Sequence, residues 1–338
     1  MSNSLIDADS IAIVGLEKNT GKTTFLNYLI QQLAAKRRLA LTSIGYDGES
    51  TDLVTRTAKP RIYVGQGTLV ATARALLDRC QVEKEILHLS GIHSALGEII
   101  IFSALDDGFI ELAGPGSIGE MKQLKAMLHQ IDSSAQLIVD GALSRLSSAG
   151  HGLCQEVVLC TGGAVHPDAQ VVIDETVHTA ELLQLPIVHL SEEQLDLMVS
   201  NDYIITGETT RAGCFPAPLD VSELLEDIRL DDTSLIIQGV ITQEMMDELL
   251  SQPTIMNLDL IAQDPTRFFI DPSTWVKLKR RGIELKVRQR ANLAAIIVNP
   301  TAPRGPSFGP DFQQRIQERV SVPVIDVRRY HGTFETGL

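Results

Sequence analysis

The chain has 338 residues, 44% apolar, 21% charged and only 4% aromatic, which is apolar material enough for one large domain or two smaller ones. Lys and Arg number 29 against 43 Asp and Glu; the net charge of −14 argues against capture of nucleic acid or an anionic membrane, yet leaves room for a small anionic ligand at a local positive site. No apolar run approaches the ~20 residues of a spanning helix, and the polar N-terminus carries no basic-then-apolar leader. The expectation is a soluble, cytoplasmic protein with Cys80, Cys154, Cys160 and Cys214 as reduced thiols.

In chain order, Ile11–Val14 reads as a short β-branched strand. A Gly-containing loop follows, and then a helix from Thr23 to Lys36 whose Phe25, Leu26, Leu29, Ile30 and Leu33 recur at helical spacing. Leu39–Ile44 is the next strand; Ile86–Leu89, Ile99–Ala104 and Phe109–Ala113 follow, the stretch from 86 to 113 being a candidate antiparallel insertion. Gly114–Ser117 breaks the chain before a helix reaching Ile131, and Gln136–Asp140 is a strand ending on an acid. Glu156–Cys160 leads through Thr161-Gly162-Gly163 into a helix from Pro167 to Leu183. Further strands are expected at Leu235–Gln238, Leu258–Ile261, Ile283–Val287, Ala295–Val298 and Pro323–Val327, with a helix at Gln243–Leu250.

This alternation predicts an α/β fold: a largely parallel sheet with helices on both faces, plus a second, smaller α/β domain. Periodicity weakens near 190–205, so the expected division is 1–195 and 196–338. Lys277 to Arg290 is a basic stretch in an acidic chain, read as a solvated face or a dock for an acidic partner.

The chemistry concentrates in Val14-Gly-Leu-Glu-Lys-Asn-Thr-Gly-Lys-Thr-Thr24. It follows a strand and opens a helix, the setting of a P-loop. Gly21 lets the backbone approach phosphate oxygens, and the amides of Lys18, Asn19, Thr20 and the following helix start point at the anion. Lys22 supplies a full charge at the β/γ-phosphates, Thr23 a hydroxyl for Mg²⁺, and Thr24 a contact to the α-phosphate. Asp47 and Asp140 follow apolar strands, where a carboxylate sits beside the crevice of an open sheet. Each has two readings, a Mg²⁺ ligand or a solvated turn residue, and Asp47 has a third, orienting the attacking water. Lys22 and Asp47 are the expected catalytic residues, Thr23, Asp47 and Asp140 the expected metal ligands. Thr161-Gly162-Gly163 is either a plain turn or a second anion nest.

The first glycine stands at Gly15 rather than one residue later, a spacing that resembles the dethiobiotin-synthetase branch of P-loop proteins, with the nitrogenase iron protein and the partition ATPases. This likeness covers about residues 8–190. Many members carry a second lysine where Glu17 stands here. No NKxD-type base-reading motif is present, which favours ATP over GTP.

A narrower likeness lies in Ser43–Glu49, Lys59–Val64, Ser90–Glu98, Glu111–Pro115, Leu137–Leu143 and Ile297–Pro300. Together these resemble the KamB family, the small subunits of the lysine 5,6-aminomutase reactivase. The resemblance implies a nucleotide-binding subunit that helps to exchange damaged cobalamin in an adenosylcobalamin-dependent aminomutase. Its partners would be the mutase and a MutS-like ATPase subunit, with a homodimer possible. Two other functions fit the same phosphate site. One is an ATP-dependent ligase or kinase in the manner of dethiobiotin synthetase, with Lys59 or Lys18 serving the acceptor. The other is a regulator that binds nucleotide without turnover.

Overall fold

The computed structural model describes residues 3–46, 61–142, 153–216, 220–290, 292–302, 307–326 and 328. Asp47 and Lys59 lie outside the described residues. The chain is α/β, with a large mixed sheet. Among the described residues no helix is long and apolar enough to cross a membrane.

A short helix α1 (Asn3–Asp7) leads into β1 (Ser10–Gly15), α2 (Lys22–Ala34) and β2 (Leu39–Ser43). Next come β3 (Ile62–Val64), β4 (Leu69–Ala73), a 3₁₀ segment at Arg74–Arg79, the hairpin β5 (Lys84–Ser94) and β6 (Gly97–Ala104), and β7 (Gly108–Ile110). Then follow α3 (Ile118–Ile131), β8 (Gln136–Ala142), β9 (Glu156–Gly162) and α4 (Ala169–Leu183).

A second set of elements starts with α5 (Glu192–Leu197), β10 (Tyr203–Thr206), β11 (Thr210–Gly213) and α6 (Ser222–Asp227). It continues through β12 (Ser234–Ile237), β13 (Ile241–Thr242), α7 (Gln243–Ser251), β14 (Asp259–Ala262), β15 (Phe268–Phe269), α8 (Pro272–Arg280) and β16 (Glu284–Val287). The last elements among the described residues are β17 (Asn292–Asn299), α9 (Phe312–Gln317) and β18 (Val324–Asp326).

The nine-stranded sheet runs β18-β17-β9-β1-β8-β2-β4-β6-β5. Every pair from β18 to β4 is parallel; β6 pairs antiparallel with β4 and with β5. The antiparallel insertion expected from the sequence is therefore present. β1 lies between β8 and β9, and all six of its residues are buried, in keeping with the continuous apolar run Ile11-Ala-Ile-Val14 at its centre. The apolar stripe of α2 packs on this sheet through Phe25, Leu26, Leu29, Ile30 and Leu33. The start of α3 is set by a reciprocal capping box between Ser117 and Glu120.

The domain division differs from the expected one. One compact unit comprises Met1–Ala180 together with Ala291–Leu338, and the other is Glu181–Arg290. The expected cut at 195/196 gave β17 and β18 to the second domain. The structure returns both to the large sheet, where β17 pairs with β9. A buried run such as Leu293–Val298 announces a strand but carries no mark of the sheet it joins.

The second unit has a five-stranded sheet, β11-β10-β12-β14-β16. β12, β14 and β16 are parallel, with α7 and α8 as their connections; β10 and β11 are antiparallel. One face packs on Met245, Met246, Leu249, Trp275 and Leu278. The other carries Ile204, Ile236 and Ile261 beneath Met198.

Candidate functional site

Because β2, β8, β1, β9 and β17 are parallel, their C-terminal ends share one edge of the sheet. Register puts Gly15 beside both Ala142 and Cys160, Asp140 beside both Ile13 and Ser43, and Asn299 beside Gly162. Ligands of open α/β sheets bind outside this edge.

The loop between β1 and α2 turns sharply through two residues of positive φ, Asn19 (62°) and Gly21 (88°). Asn tolerates that region better than most side chains, and Gly does so freely. Thr20, between them, is fully buried, and its hydroxyl donates to the Glu17 carbonyl at 2.9 Å. The loop is anchored to β9 by the Leu16 amide, which donates to the Cys160 carbonyl at 3.0 Å. The Lys22 ammonium folds back over the loop and donates to the Glu17 carbonyl at 3.2 Å. It occupies space that Gly15 leaves open: a Cβ there would stand 2.6 Å from Thr20 Oγ1 and 2.7 Å from Lys22 Nζ.

Gly21 is the N-cap of α2 and has no side chain with which to cap it; the first turn holds no acidic residue. The orphan amides of that turn and the positive end of the helix macrodipole are thus left to whatever lies in front of them. Thr23 and Thr24 sit in this turn, half-buried.

Asp140 is placed on β8, two residues before its end at Ala142, rather than closing the strand. Its backbone carbonyl accepts from the Ile44 amide. Lys22 and Asp140 both act on the thiol of Cys160, which burial pushes up to about 12, Lys22 pulling it down and Asp140 pushing it further up. The ammonium and the carboxylate therefore belong to the same small region.

Three features were not read from the sequence. Asn299, at the end of β17, donates its amide nitrogen to the Asn19 carbonyl at 3.1 Å. Its own carbonyl accepts from the Gly163 amide at 2.9 Å. Gly162 and Gly163 are there for this approach: a Cβ on Gly162 would lie 1.8 Å from the Asn299 carbonyl oxygen, and one on Gly163 2.9 Å from Ala302 Cα. The pair is a close-packing turn, and the Gly163 amide already has its acceptor. Secondly, Glu175 on α4 is exposed, yet partial desolvation raises its pKa; His166 opposes the rise and the charge of Glu17 adds to it. Thirdly, Gly114 lies against the end of β2, where a Cβ would fall 1.7 Å from the Ser43 carbonyl oxygen. The Gly45 amide donates to the Pro115 carbonyl, so the Gly-Pro-Gly-Ser break braces the segment that leads to residue 47.

The sequence-predicted residues Gly15, Lys18, Asn19, Thr20, Gly21, Lys22, Thr23 and Thr24 thus form one continuous loop and helix start, with Asp140 two residues from the end of the neighbouring strand. Chemically the arrangement offers the Lys22 ammonium, a set of helix-start amides, two threonine hydroxyls and the Asp140 carboxylate. Compared with known proteins, the chain matches no family model, no curated protein sequence and no solved structure.

Proposed function

We propose that this chain binds a Mg²⁺–nucleoside triphosphate, ATP in preference to GTP, at a P-loop formed by Gly15–Thr24. The observation that carries the proposal is the start of α2: uncapped, free of acid, preceded by a left-handed glycine and overlain by Lys22 in the space that Gly15 leaves. A triphosphate fits that donor set. It would draw Lys22 from a neutral carbonyl to an anionic oxygen, a stronger hydrogen bond.

Mg²⁺ takes oxygen ligands and keeps several waters. The Thr23 hydroxyl and the Asp140 carboxylate suit it, and Asp47 joins them on the sequence reading alone. Catalysis in such sites is mainly positioning and charge neutralisation. Here Lys22 and the loop amides would hold the β- and γ-phosphates, Thr24 would contact the α-phosphate, and Glu17, with Lys18 beside it, stands where many proteins of this branch carry a second lysine.

The biological role rests on the stretches that resemble the KamB family. On that reading the chain is the nucleotide-binding subunit of a system that reactivates an adenosylcobalamin-dependent amino acid aminomutase, with the mutase and a MutS-like ATPase as partners. The test is calorimetry of Mg-ATP and Mg-GTP on the wild type and on Lys22→Ala, with phosphate release followed alone, with the candidate partners, and with added metabolites. Tight ATP binding lost in the variant supports the site, and stimulation by the partners supports the role. Phosphate release that depends on a metabolite and on no protein would replace the role by a ligase or kinase. Binding unaffected by Lys22→Ala would refute the P-loop.

A further inference from the structure

We infer that the outer edge of β5 is a self-association surface, on which a second copy of this chain lays its own β5 antiparallel across a two-fold axis. The inference is independent of the nucleotide site.

β5 is the last strand of the nine-stranded sheet among the described residues, so one row of its backbone donors and acceptors faces outward. Edges of this kind are ordinarily blunted with charge. Here Ile86 is 47% and Leu89 54% exposed. They are three residues apart, a separation that in a regular strand would place them on opposite faces. A register shift between Ile86 and His88 changes this. Ile86 pairs with Phe102, His88 with Ile101 and Leu89 with Ile100, which leaves Leu87 as an extra residue. Phe102 and Ile100 share a face, so the bulge turns Ile86 and Leu89 to one side as an adjoining apolar pair.

The register of self-pairing follows from where the usable edge ends. Gly91 has a φ of 69°, and its amide is turned to Glu98 Oε1 at 3.0 Å. The outer edge before this turn, bulge included, is thus Lys84 to Ser90. The two-fold pairing that sets Lys84 against Gly91 has its centre between Leu87 and His88. It places Ile86 opposite Leu89 of the partner subunit, twice by symmetry, and Glu85 opposite Ser90 of the partner subunit. Four apolar side chains then cover one another, and no like charges meet. Sliding by one residue in either direction sets Ile86 against a serine or a histidine, so the apolar match selects one register.

The test is sedimentation equilibrium of the full chain at micromolar concentrations, without nucleotide. The expected result is a species of twice the 36.9 kDa chain mass. Ile86→Lys/Leu89→Lys should give the monomer, with an unchanged circular dichroism spectrum. In a Cys214→Ser background, a mixture of Ile86→Cys and Leu89→Cys chains should form a mixed disulfide on oxidation, while neither forms one alone. A monomeric wild type, a dimer that survives the two lysines, or a crosslink found equally with Glu85→Cys would overturn the inference. None of these results depends on whether ATP binds.

Discussion

The start of α2 in the large unit and the starts of α5, α7 and α8 in the 181–290 unit handle the same problem in opposite ways. Every α-helix begins with amides that have no partner within the helix. In the 181–290 unit, α7 is capped by the Thr242 hydroxyl on the Met245 amide, and α8 by the Asp271 carboxylate on the Thr274 amide. α5 carries a full capping box from Ser191 and Gln194. In the large unit, the thirteen-residue α2 has a left-handed glycine in that place and no acid in its first turn. A helix start that satisfies itself gains stability and has little left to offer. One that does not gives up about 1 kcal/mol of capping energy and keeps its amides for a ligand. α6 and α9 also lack side-chain caps but are only six residues long, so the contrast lies between α2 and the capped helices alone.

The comparison can be broken most sharply at Lys22. Lys22→Ala removes one charge-assisted hydrogen bond, worth about 1.5–3 kcal/mol, so nucleotide affinity should fall roughly 10- to 100-fold by calorimetry while the melting temperature of the unliganded chain holds. Gly15→Ala tests the space rather than the charge. Its Cβ would collide with Thr20 Oγ1 and Lys22 Nζ, so affinity should drop about tenfold with a small loss of stability, as when binding groups are displaced by a fraction of an ångström. A Gly15→Ala chain with wild-type affinity would show that the folded-back lysine is irrelevant to binding.

The capped side of the comparison predicts losses of stability alone. Asp271→Ala should cost about 1 kcal/mol in denaturant unfolding and leave ligand affinity untouched. The Thr274 amide hydrogen bond holds the Asp271 carboxyl below its ordinary value. Its contribution is therefore present above the usual carboxylate range and lost as pH falls through the depressed pKa. The variant and the wild type should converge in strong acid; a difference that persisted there would point to some other cause. Thr242→Ala, whose cap bond is longer at 3.4 Å, should cost less than Asp271→Ala. The smallest effect is expected at Glu175. The side chain is exposed, but partial desolvation raises its pKa and Glu17 adds to the shift, so its charged form is slightly disfavoured and a small, solvent-screened burden grows as pH rises from the ordinary carboxylate range. Glu175→Gln should raise the melting temperature slightly at neutral pH and not in acid.

The loop from Gly15 to Thr24 was legible in the sequence because its geometry is local: strand, glycines, lysine and helix follow one another within ten residues. The main strands were legible for a similar reason, since each central parallel strand carries a run of consecutive apolar residues. Asp140 was found as an acid after an apolar run, though β8 continues to Ala142. What sequence could not supply was spatial adjacency between distant residues. Asn299 reaches the Asn19 carbonyl from 280 residues away, and Glu175 on α4 feels the charge of Glu17 in the loop. Gly162 and Gly163 announced a turn, but that they make way for residues 299–302 depends on where β17 returns. The same return misled the domain boundary.

That return has a consequence for how the chain is made. β9 ends at Gly162 and its neighbour β17 begins at Asn292, a gap of 292 − 162 = 130 residues. On a ribosome adding about 5–20 residues per second, the buried strand Glu156–Gly162 waits on the order of ten seconds for its partner. Throughout that interval it is a bare, largely apolar edge of a half-built sheet. The nascent chain thus passes through a window in which a chaperone or a mispaired strand competes for β9, and a chain cut short before residue 292 never leaves it.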